Sequence, residues 1–296
     1  MKKYPKETNY FLDMDACFAQ EEHARYVLLP VAYDGTSTFV KGADQGPAAM
    51  IAASDSLELY DSVYGIEAYQ AGIFTDLQAP LNFLTPEKMV MSVYDRVKHW
   101  TAKGKIVGVL GGEHSVSIGA IREAQERFHQ LSVLQIDAHA DMRDMYHGSK
   151  NNHACVMRRA KDFGANLVQV GIRSVCAEEK EYMVPENTFF AHQIVGNHGT
   201  WMNAACDQLG KNVYVTIDLD GLDPSILPAT GTPLPGGLQW YELMQFLDLV
   251  FSQKNIVGFD VVELCPQPDN VVSDVLAATL VYRLITLFEI YQNKNL

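Results

Sequence analysis

Short apolar runs along this chain of 296 residues predict the strands of a buried sheet. Each run holds mostly aliphatic residues and is followed by glycine or an acidic residue, which is typical of a strand that ends in a loop. The most distinct runs span residues 106–110, 131–136, 212–217 and 255–262. We therefore expect these four segments to form strands in the interior of the protein.

The segments between and after these runs repeat their apolar residues at helical spacing. Residues 86–102 follow Thr85, which can cap the first turn of a helix, and residues 117–128 begin a second helix soon after the strand 106–110. Residues 271–291 are apolar nearly throughout. This last pattern predicts a buried helix that covers the sheet.

Strands and helices alternate without a Pro/Gly/Ser-rich linker, a charge block or an internal repeat. Such alternation is typical of an α/β fold with a parallel sheet. Although 296 residues exceed the usual length of one domain, we expect a single domain over residues 1–296.

Targeting signals and cysteines indicate where the protein works. Two lysines near the start are not followed by the apolar segment of a signal peptide, and no run is long enough to cross a bilayer. The five cysteines are scattered, odd in number and free of C-x-x-C pairs, which indicates reduced thiols. We expect a cytoplasmic protein without membrane partners.

The charge balance separates classes of ligand. The formal net charge is −13, from 36 acidic and 23 basic residues, and no basic cluster is present. This excludes nucleic acid as an expected partner. A negative cleft raises the local concentration of cations, so an acidic chain suits a cationic substrate.

Acidic residues and histidines follow three of the predicted strands. Side chains at i, i+2 and i+4 of an extended segment point to one side, and the carboxyl ends of parallel strands meet at one edge of a sheet. A lone aspartate there is usually a cap or turn residue. Several carboxylates packed together without cations would raise their own pKa values, at a cost that bound dications remove. The sequence therefore predicts a site for two divalent cations, formed by His114, Asp137, His139, Asp141, Asp218 and Asp220.

The kinds of ligand favour manganese as the metal. None of the six residues is a cysteine, and carboxylates outnumber imidazoles. This mixture suits manganese better than zinc or copper, while the two histidines make magnesium less suitable. We expect two Mn²⁺ ions per chain.

The three ligand segments resemble signature segments of the ureohydrolase family, which contains arginases and agmatinases. They read Gly-Gly-Glu-His-Ser at 111–115, Asp-Ala-His-Ala-Asp at 137–141 and Asp-Leu-Asp-Gly-Leu-Asp-Pro at 218–224. The resemblance is closest to the agmatinases and implies a three-layer α/β/α fold with a mainly parallel central sheet, as in arginases and deacetylases. It extends over nearly the whole chain through the segments 33–37, 41–47, 152–159, 169–174, 230–238 and 258–264.

The resemblance also implies a role for each ligand. It places His114 and Asp141 on one ion, His139 and Asp220 on the other, and Asp137 and Asp218 on both. It further implies a homo-trimer or homo-hexamer. The segment 271–291 is a candidate for contacts between subunits.

Two further residues match catalytic positions of the family. His153 matches a histidine that shuttles protons, and Glu263 matches the acid that holds the substrate's guanidinium group. Glu263 also follows the strand 255–262, and a carboxylate pairs well with the planar fork of a guanidinium. The residues alone support His153 less strongly, because His147 competes for the same role.

The residues predict a hydrolysis. Two dications yield hydroxide near neutral pH, Asp141 can accept a hydrogen bond from it, and a histidine can protonate the leaving amine. The reaction we expect converts agmatine and water to putrescine and urea, a step of polyamine biosynthesis within arginine metabolism. The alternatives are another guanidino substrate (arginine, guanidinobutyrate or aminopropylagmatine), formiminoglutamate, a single-zinc deacetylase-like enzyme, or a metal-binding relative without turnover.

The sequence does not identify the part of the substrate that lies beyond its guanidino group. Four residues are expected near it, at the mouth of the pocket: Arg143, Ser149, Asn151 and Leu234. Leu234 stands where many agmatinases carry an acid, and Ser149 and Asn151 precede His153 at the spacing that arginases use for an amino-acid head group. Arg143 can meet a substrate carboxylate or pair with a neighbouring acid such as Asp144.

Overall fold

Eight parallel strands form the central sheet of this computed structural model, which describes residues 10–197 and 200–292. The strand order is β2-β1-β3-β8-β7-β4-β5-β6, and every neighbouring pair is parallel. The expected α/β class is confirmed, and the sheet is parallel throughout. The strands are β1 (Tyr26–Val31), β2 (Ile73–Thr75), β3 (Ile106–Gly111), β4 (Leu131–Ile136), β5 (Asn166–Ile172), β6 (Thr188–Phe190), β7 (Asn212–Asp218) and β8 (Asn255–Val262).

Helices cover both faces of this sheet and complete the three expected layers. Side chains of successive strand residues alternate between two apolar cores, as Leu28 in one core and Val27 and Leu29 in the other illustrate. Helices α1, α5, α6, α7 and α8 contribute to the first core, and α2, α3 and α4 to the second. Their bounds are α1 (Gly46–Ser54), α2 (Pro86–Thr101), α3 (Ser117–Arg127), α4 (Val156–Asp162), α5 (Ala191–Ile194), α6 (Thr200–Gln208), α7 (Trp240–Gln253) and α8 (Val272–Tyr291).

The predicted elements agree closely with these bounds. The strands predicted at 131–136 and 255–262 have those limits, and the other two are one residue longer at their carboxyl ends. Helix α2 begins after Thr85, whose hydroxyl accepts a hydrogen bond from the Lys88 N–H. In α8 the side chains of Leu280, Leu284 and Leu287 are buried, as expected of a helix that covers the sheet. Among the described residues, none of the helices has the length and apolar character needed to traverse a bilayer.

The strands that precede the predicted site residues are neighbours in the middle of the sheet. Strands β3, β8, β7 and β4 follow one another in that order, and all four end at the same edge. Loops at the carboxyl ends of central parallel strands commonly form binding crevices. This topology brings segments more than a hundred residues apart in sequence to one place.

Candidate metal centre

The structure brings all six predicted ligands and Glu263 to this edge of the sheet. His114 begins a short 3-10 turn after β3, and Glu263 directly follows β8. Asp218 ends β7, and Asp220 lies in the next turn, Leu219–Gly221. Residues 137–141 follow β4 directly, and they carry Asp137, His139 and Asp141.

Three of these residues form a buried cluster that we call the inner group: His114, Asp137 and Asp218. The His114 Nδ1 atom lies 3.2 Å from Asp137 Oδ2 and 3.4 Å from Asp218 Oδ2. It also lies 3.0 Å from Oδ2 of Asp141. All four side chains are shielded from solvent, so charge among them is weakly screened.

A second cluster, the outer group, consists of Asp137, His139 and Asp220. The His139 Nδ1 atom lies 3.0 Å from Asp220 Oδ2 and 3.7 Å from Asp137 Oδ1. The His139 side chain is 27% exposed, in contrast to the buried His114. Asp137 belongs to both groups, so the two clusters adjoin.

Backbone hydrogen bonds fix the carboxylates of this edge. The His139 N–H donates to Asp137 Oδ1 at 2.6 Å, and the Asp220 N–H donates to Asp218 Oδ1 at 2.9 Å. The Ala138 N–H donates to Asp220 Oδ1 at 3.0 Å, which links the loop after β4 to the loop after β7. Each carboxylate therefore keeps its second oxygen directed at a histidine.

Two polar residues beneath the site determine how His114 presents its ring. The Thr216 hydroxyl donates to Asp260 Oδ1 at 2.6 Å, so its oxygen is the acceptor for the His114 Nε2–H at 2.9 Å. The opposite atom, Nδ1, is buried and has no hydrogen-bond partner. Burial lowers the pKa of this imidazole, but the carboxylates of Asp137, Asp141 and Asp218 around Nδ1 outweigh burial and raise the pKa well above its ordinary value. A dication bound at Nδ1 would take the place of the Nδ1 proton, as at a metal ligand.

Two carboxyl groups of the site have raised pKa values, as expected where a cation would bind. Burial and the neighbouring Asp137 raise the pKa of Asp141 to about 7, and burial with Asp220 and Asp137 raises the pKa of Asp218 well above its ordinary value. A bound dication would favour the ionised form of both groups. Oxygen and imidazole nitrogen are ligands that divalent first-row metals accept, so the donor set fits the two predicted ions.

Glu263 is held beside the inner group. The His114 N–H donates to Glu263 Oε1 at 2.7 Å, and the residue has a φ of +66°, a backbone conformation rare outside glycine. Burial and the nearby Glu113 carboxylate raise the pKa of Glu263 well above its ordinary value. A cationic group beside it would restore the ionised form.

His153 and Glu263 line one cavity of about 180 Å³ together with ligands from both groups. Burial, with His114 and His139, lowers the pKa of His153 to about 4. The competing His147 does not line this cavity; it borders a neighbouring groove with Ser149. Of the two histidines, only His153 therefore lines the cavity that the predicted ligands border.

The residues expected near the mouth are only partly brought together. Arg143 lines the cavity, whereas Asn151 and Leu234 line neither the cavity nor the adjacent groove. Arg143 pairs with an acid, as one of the two alternatives expected, but the acid is Glu178, whose Oε1 lies 2.5 Å from Arg143 Nη1, and not Asp144. Asp144 instead forms an ion pair with Arg159, whose Nη2 lies 2.8 Å from Asp144 Oδ1.

Sequence reasoning missed the polar residues that support the site: Thr36, Glu113, Gln135, Gln169, Thr216 and Asp260. Gln135 donates to Asp137 Oδ2 at 2.7 Å and accepts a hydrogen bond from Gln169, also at 2.7 Å. Several of these residues interrupt apolar strand runs at buried positions. A polar residue inside a strand that leads to a ligand is the signal that could have identified them.

Comparisons with known proteins find relatives over nearly the whole chain. The model of the arginase family matches residues 24–286. The N(1)-aminopropylagmatine ureohydrolase of Synechocystis sp. is 37% identical over 99% of this chain and 98% of its own length. The agmatinase of Pyrococcus horikoshii is 30% identical over 92% of this chain and 95% of its own length. The solved structure of the agmatine ureohydrolase of Thermoplasma volcanium superposes with a TM-score of 0.82 at 32% identity, covering 93% of each chain.

Proposed function

The chain belongs to the arginase family, and we propose that it hydrolyses the guanidino group of agmatine to putrescine and urea at a centre of two Mn²⁺ ions. One observation carries the proposal. Two adjoining ligand groups share Asp137, and members of both groups line the same cavity as Glu263 and His153. This arrangement supports a role for Glu263 toward a guanidinium and a role for His153 toward a leaving amine beside the candidate metal centre.

The ligand roles that we propose follow the two groups. His114 and Asp141 would hold one ion, His139 and Asp220 the other, and Asp137 and Asp218 both. When bound, such a pair of dications lowers the pKa of water and supplies hydroxide near neutral pH. The buried Nδ1 of His114, which lies within 3.4 Å of the carboxylates of Asp137, Asp141 and Asp218, supports this assignment.

Glu263 is the residue that would orient the substrate. Its Oε1 atom already accepts the His114 N–H, so Oε2 is left for the guanidinium. Burial and the Glu113 carboxylate raise the pKa of Glu263, and a guanidinium cation beside the carboxyl group would oppose this shift and favour its ionised form. Pairing with a planar guanidinium fixes the position of its carbon.

His153 and Asp141 would handle protons. The carboxylate of Asp141 lines the cavity and can accept a hydrogen bond from the attacking water. Burial keeps the His153 imidazole neutral at pH 7, so it can take up a proton and return it to the leaving nitrogen. Both side chains border the space where the carbon–nitrogen bond would break.

Urea release from four compounds tests the substrate. With Mn²⁺ present, we expect agmatine and aminopropylagmatine to give kcat/KM roughly tenfold or more above arginine and guanidinobutyrate, because an acidic protein favours a cationic tail. A chelated sample serves as the control. A higher kcat/KM for arginine or guanidinobutyrate would refute a substrate with a cationic tail. Release of formamide from formiminoglutamate would show that the enzyme catalyses a different reaction from the one proposed.

Aminopropylagmatine is the second candidate substrate. It is favoured by the 37% identity with the Synechocystis ureohydrolase, which exceeds the 30% identity with the Pyrococcus horikoshii agmatinase. Both compounds present the same guanidino group to Glu263, so the site chemistry is unchanged. The ratio of the two kcat/KM values in the same assay separates them.

We further propose a cytoplasmic, single-domain subunit of a homo-trimer or homo-hexamer that serves polyamine biosynthesis. Strands from Tyr26 to Val262 share one sheet, which supports a single domain. All five cysteines are free, which supports a reducing compartment. Light scattering of the purified chain would measure the number of subunits.

A further inference from the structure

Thr36, which is not one of the predicted metal ligands, lies between Glu113 and His153. The loop after β1 is pressed against the end of β3, where the Glu113 N–H donates to the Tyr33 carbonyl oxygen at 2.9 Å. Gly112 permits this approach, because a Cβ atom there would lie 2.0 Å from the same oxygen. The loop thereby delivers Thr36 to a position between Glu113 and His153.

Glu113 lies fully buried among donors. The Thr36 N–H donates to Glu113 Oε2 at 2.6 Å, and the Thr36 hydroxyl lies 2.7 Å from each carboxylate oxygen. The Ser115 hydroxyl donates to Oε1, and the Ser37 hydroxyl donates to Oε2 at 3.4 Å. Both carboxyl oxygens of Glu113 therefore act as hydrogen-bond acceptors, Oε1 for Ser115 and Thr36 and Oε2 for Thr36 and Ser37.

The Thr36 hydroxyl has one proton and two lone pairs to distribute. Its proton goes to Glu113. One lone pair accepts the His153 backbone N–H at 3.0 Å, and the other faces His153 Nδ1 at 3.2 Å. The remaining partner, Nδ1, must therefore be the donor. Counting donors and acceptors in this way assigns the proton of the neutral imidazole to Nδ1.

We propose that Thr36 and Glu113 are positioning residues that hold neutral His153 as its Nδ1–H tautomer, with a bare Nε2 toward the cavity. This inference rests on the proposed hydrolysis for its purpose. Nε2 takes a proton that originates from the attacking water. When the carbon–nitrogen bond breaks, its electron pair leaves with the nitrogen, and the proton on Nε2 passes to that pair. The imidazole then returns to its starting tautomer.

Nitrogen NMR of the ¹⁵N-histidine-labelled, full-length chain with Mg²⁺, a diamagnetic cation, tests the tautomer directly. His153→Asn identifies the signal. At neutral pH we expect the Nδ1–H form of His153 to exceed the Nε2–H form roughly fivefold, the preference that one hydrogen bond supplies. In Thr36→Val this excess should disappear, and in Thr36→Ser it should remain. A parent chain whose His153 is mainly Nε2–H overturns the proposal.

Kinetics supply the second readout. We expect Thr36→Val to lower kcat roughly 10–100-fold, a part of what a proton-transferring residue contributes, with little change in KM. Thr36→Ser should restore most of the rate. Equal kcat in the parent and Thr36→Val would overturn the proposal.

A matched control exists elsewhere in the molecule. The Thr101 hydroxyl donates to Glu123 Oε1 at 2.6 Å, in a pair remote from the cavity. Thr101→Val should leave kcat and the His153 tautomer unchanged. If the parent releases no urea from any guanidino compound, the proposed function fails, while the tautomer measurement still decides this inference because it needs no turnover.

Discussion

The inner and outer groups use the same kinds of ligand but are built on different supports. Asp218 belongs to a central strand, and Thr216 and Asp260 anchor His114 from within β7 and β8. In the outer group, His139 lies in the loop after β4 with a partly exposed side chain, and Asp220 lies in the turn Leu219–Gly221. The comparison teaches that the same kinds of ligand can carry a buried, hydrogen-bonded imidazole on one side of a centre and a partly exposed imidazole on the other.

This difference has a physical consequence for metal binding. Hydrogen bonds to the outer nitrogen of a ligating histidine orient its ring and raise its basicity, and their loss typically costs 10–100-fold in affinity. The inner group has such a bond and is dry, whereas the ring of His139 is partly exposed. We therefore expect the inner group to retain its ion more firmly than the outer group.

Removing each histidine separately should have the largest effect. We expect His139→Ala to lose kcat by roughly 10³-fold, since several kcal/mol of metal assistance disappear, yet to keep about one Mn²⁺ per chain after dialysis. His114→Ala should lose as much activity and retain less metal. Elemental analysis and urea release measure both quantities. His129→Ala, at an exposed position, is the control. If His139→Ala and His114→Ala retain equal amounts of Mn²⁺, the inner group does not hold its ion more firmly than the outer group.

A pair of threonine variants sharpens the comparison. Thr216→Val removes the bond to His114 Nε2, and we expect it to weaken the inner ion roughly 10–100-fold without affecting the outer one. Thr232 donates to Asp220 Oδ2 at 3.1 Å from a partly exposed position. Thr232→Val should weaken only the outer ion, and by a smaller factor. Titration calorimetry with Mn²⁺ measures the two steps, and a larger loss for Thr232→Val would reverse the argument.

The ligands of both groups could be predicted from the sequence, whereas the residues that support His114 could not. The ligands of both follow apolar runs, so strand periodicity places them at one edge without knowledge of the strand order. Strands β1, β2, β5 and β6 were not among the four strands predicted from apolar runs, and β2 and β6 have only three residues each, too few to show a periodicity. The chain of Asp260, Thr216 and His114 spans three strands and needs the sheet order to be seen.

The same limit applies to the loops around the cavity. The partner of Arg143 depends on the path of the chain near Glu178, which no local pattern encodes. Likewise, Thr36, Glu113 and His153 lie far apart in sequence and meet only because three loops converge. Sequence patterns therefore identify groups with strong chemical identity, whereas the polar residues that orient them require tertiary structure.

The smallest predicted effect concerns the loop that supports Asp220. Asp223 accepts hydrogen bonds from the N–H groups of Ser225, Gly236 and Gly237 at 3.0, 2.7 and 3.1 Å. Partial burial opposes ionisation, but these donors outweigh it and lower the pKa of Asp223 to about 2. We expect Asp223→Ala to lower the unfolding free energy of the metal-free chain by about 1 kcal/mol at pH 7 and Tm by about 2–4 °C.

The pH dependence identifies the cause of that effect. Because the pKa of Asp223 is lower in the folded chain than its ordinary value of 3.8, its charge contributes stability above about pH 4 and loses this contribution as the pH falls toward 2. The difference in unfolding free energy between parent and Asp223→Ala should therefore shrink below pH 4 in denaturant titrations. Asp95→Ala, a substitution at an exposed position of α2, is the control for removing one surface carboxylate. If the difference in unfolding free energy stays constant down to pH 2, the shape of the Asp223 side chain, and not its charge, supports the loop. The charge of Asp223 would then not contribute to the support of Asp220.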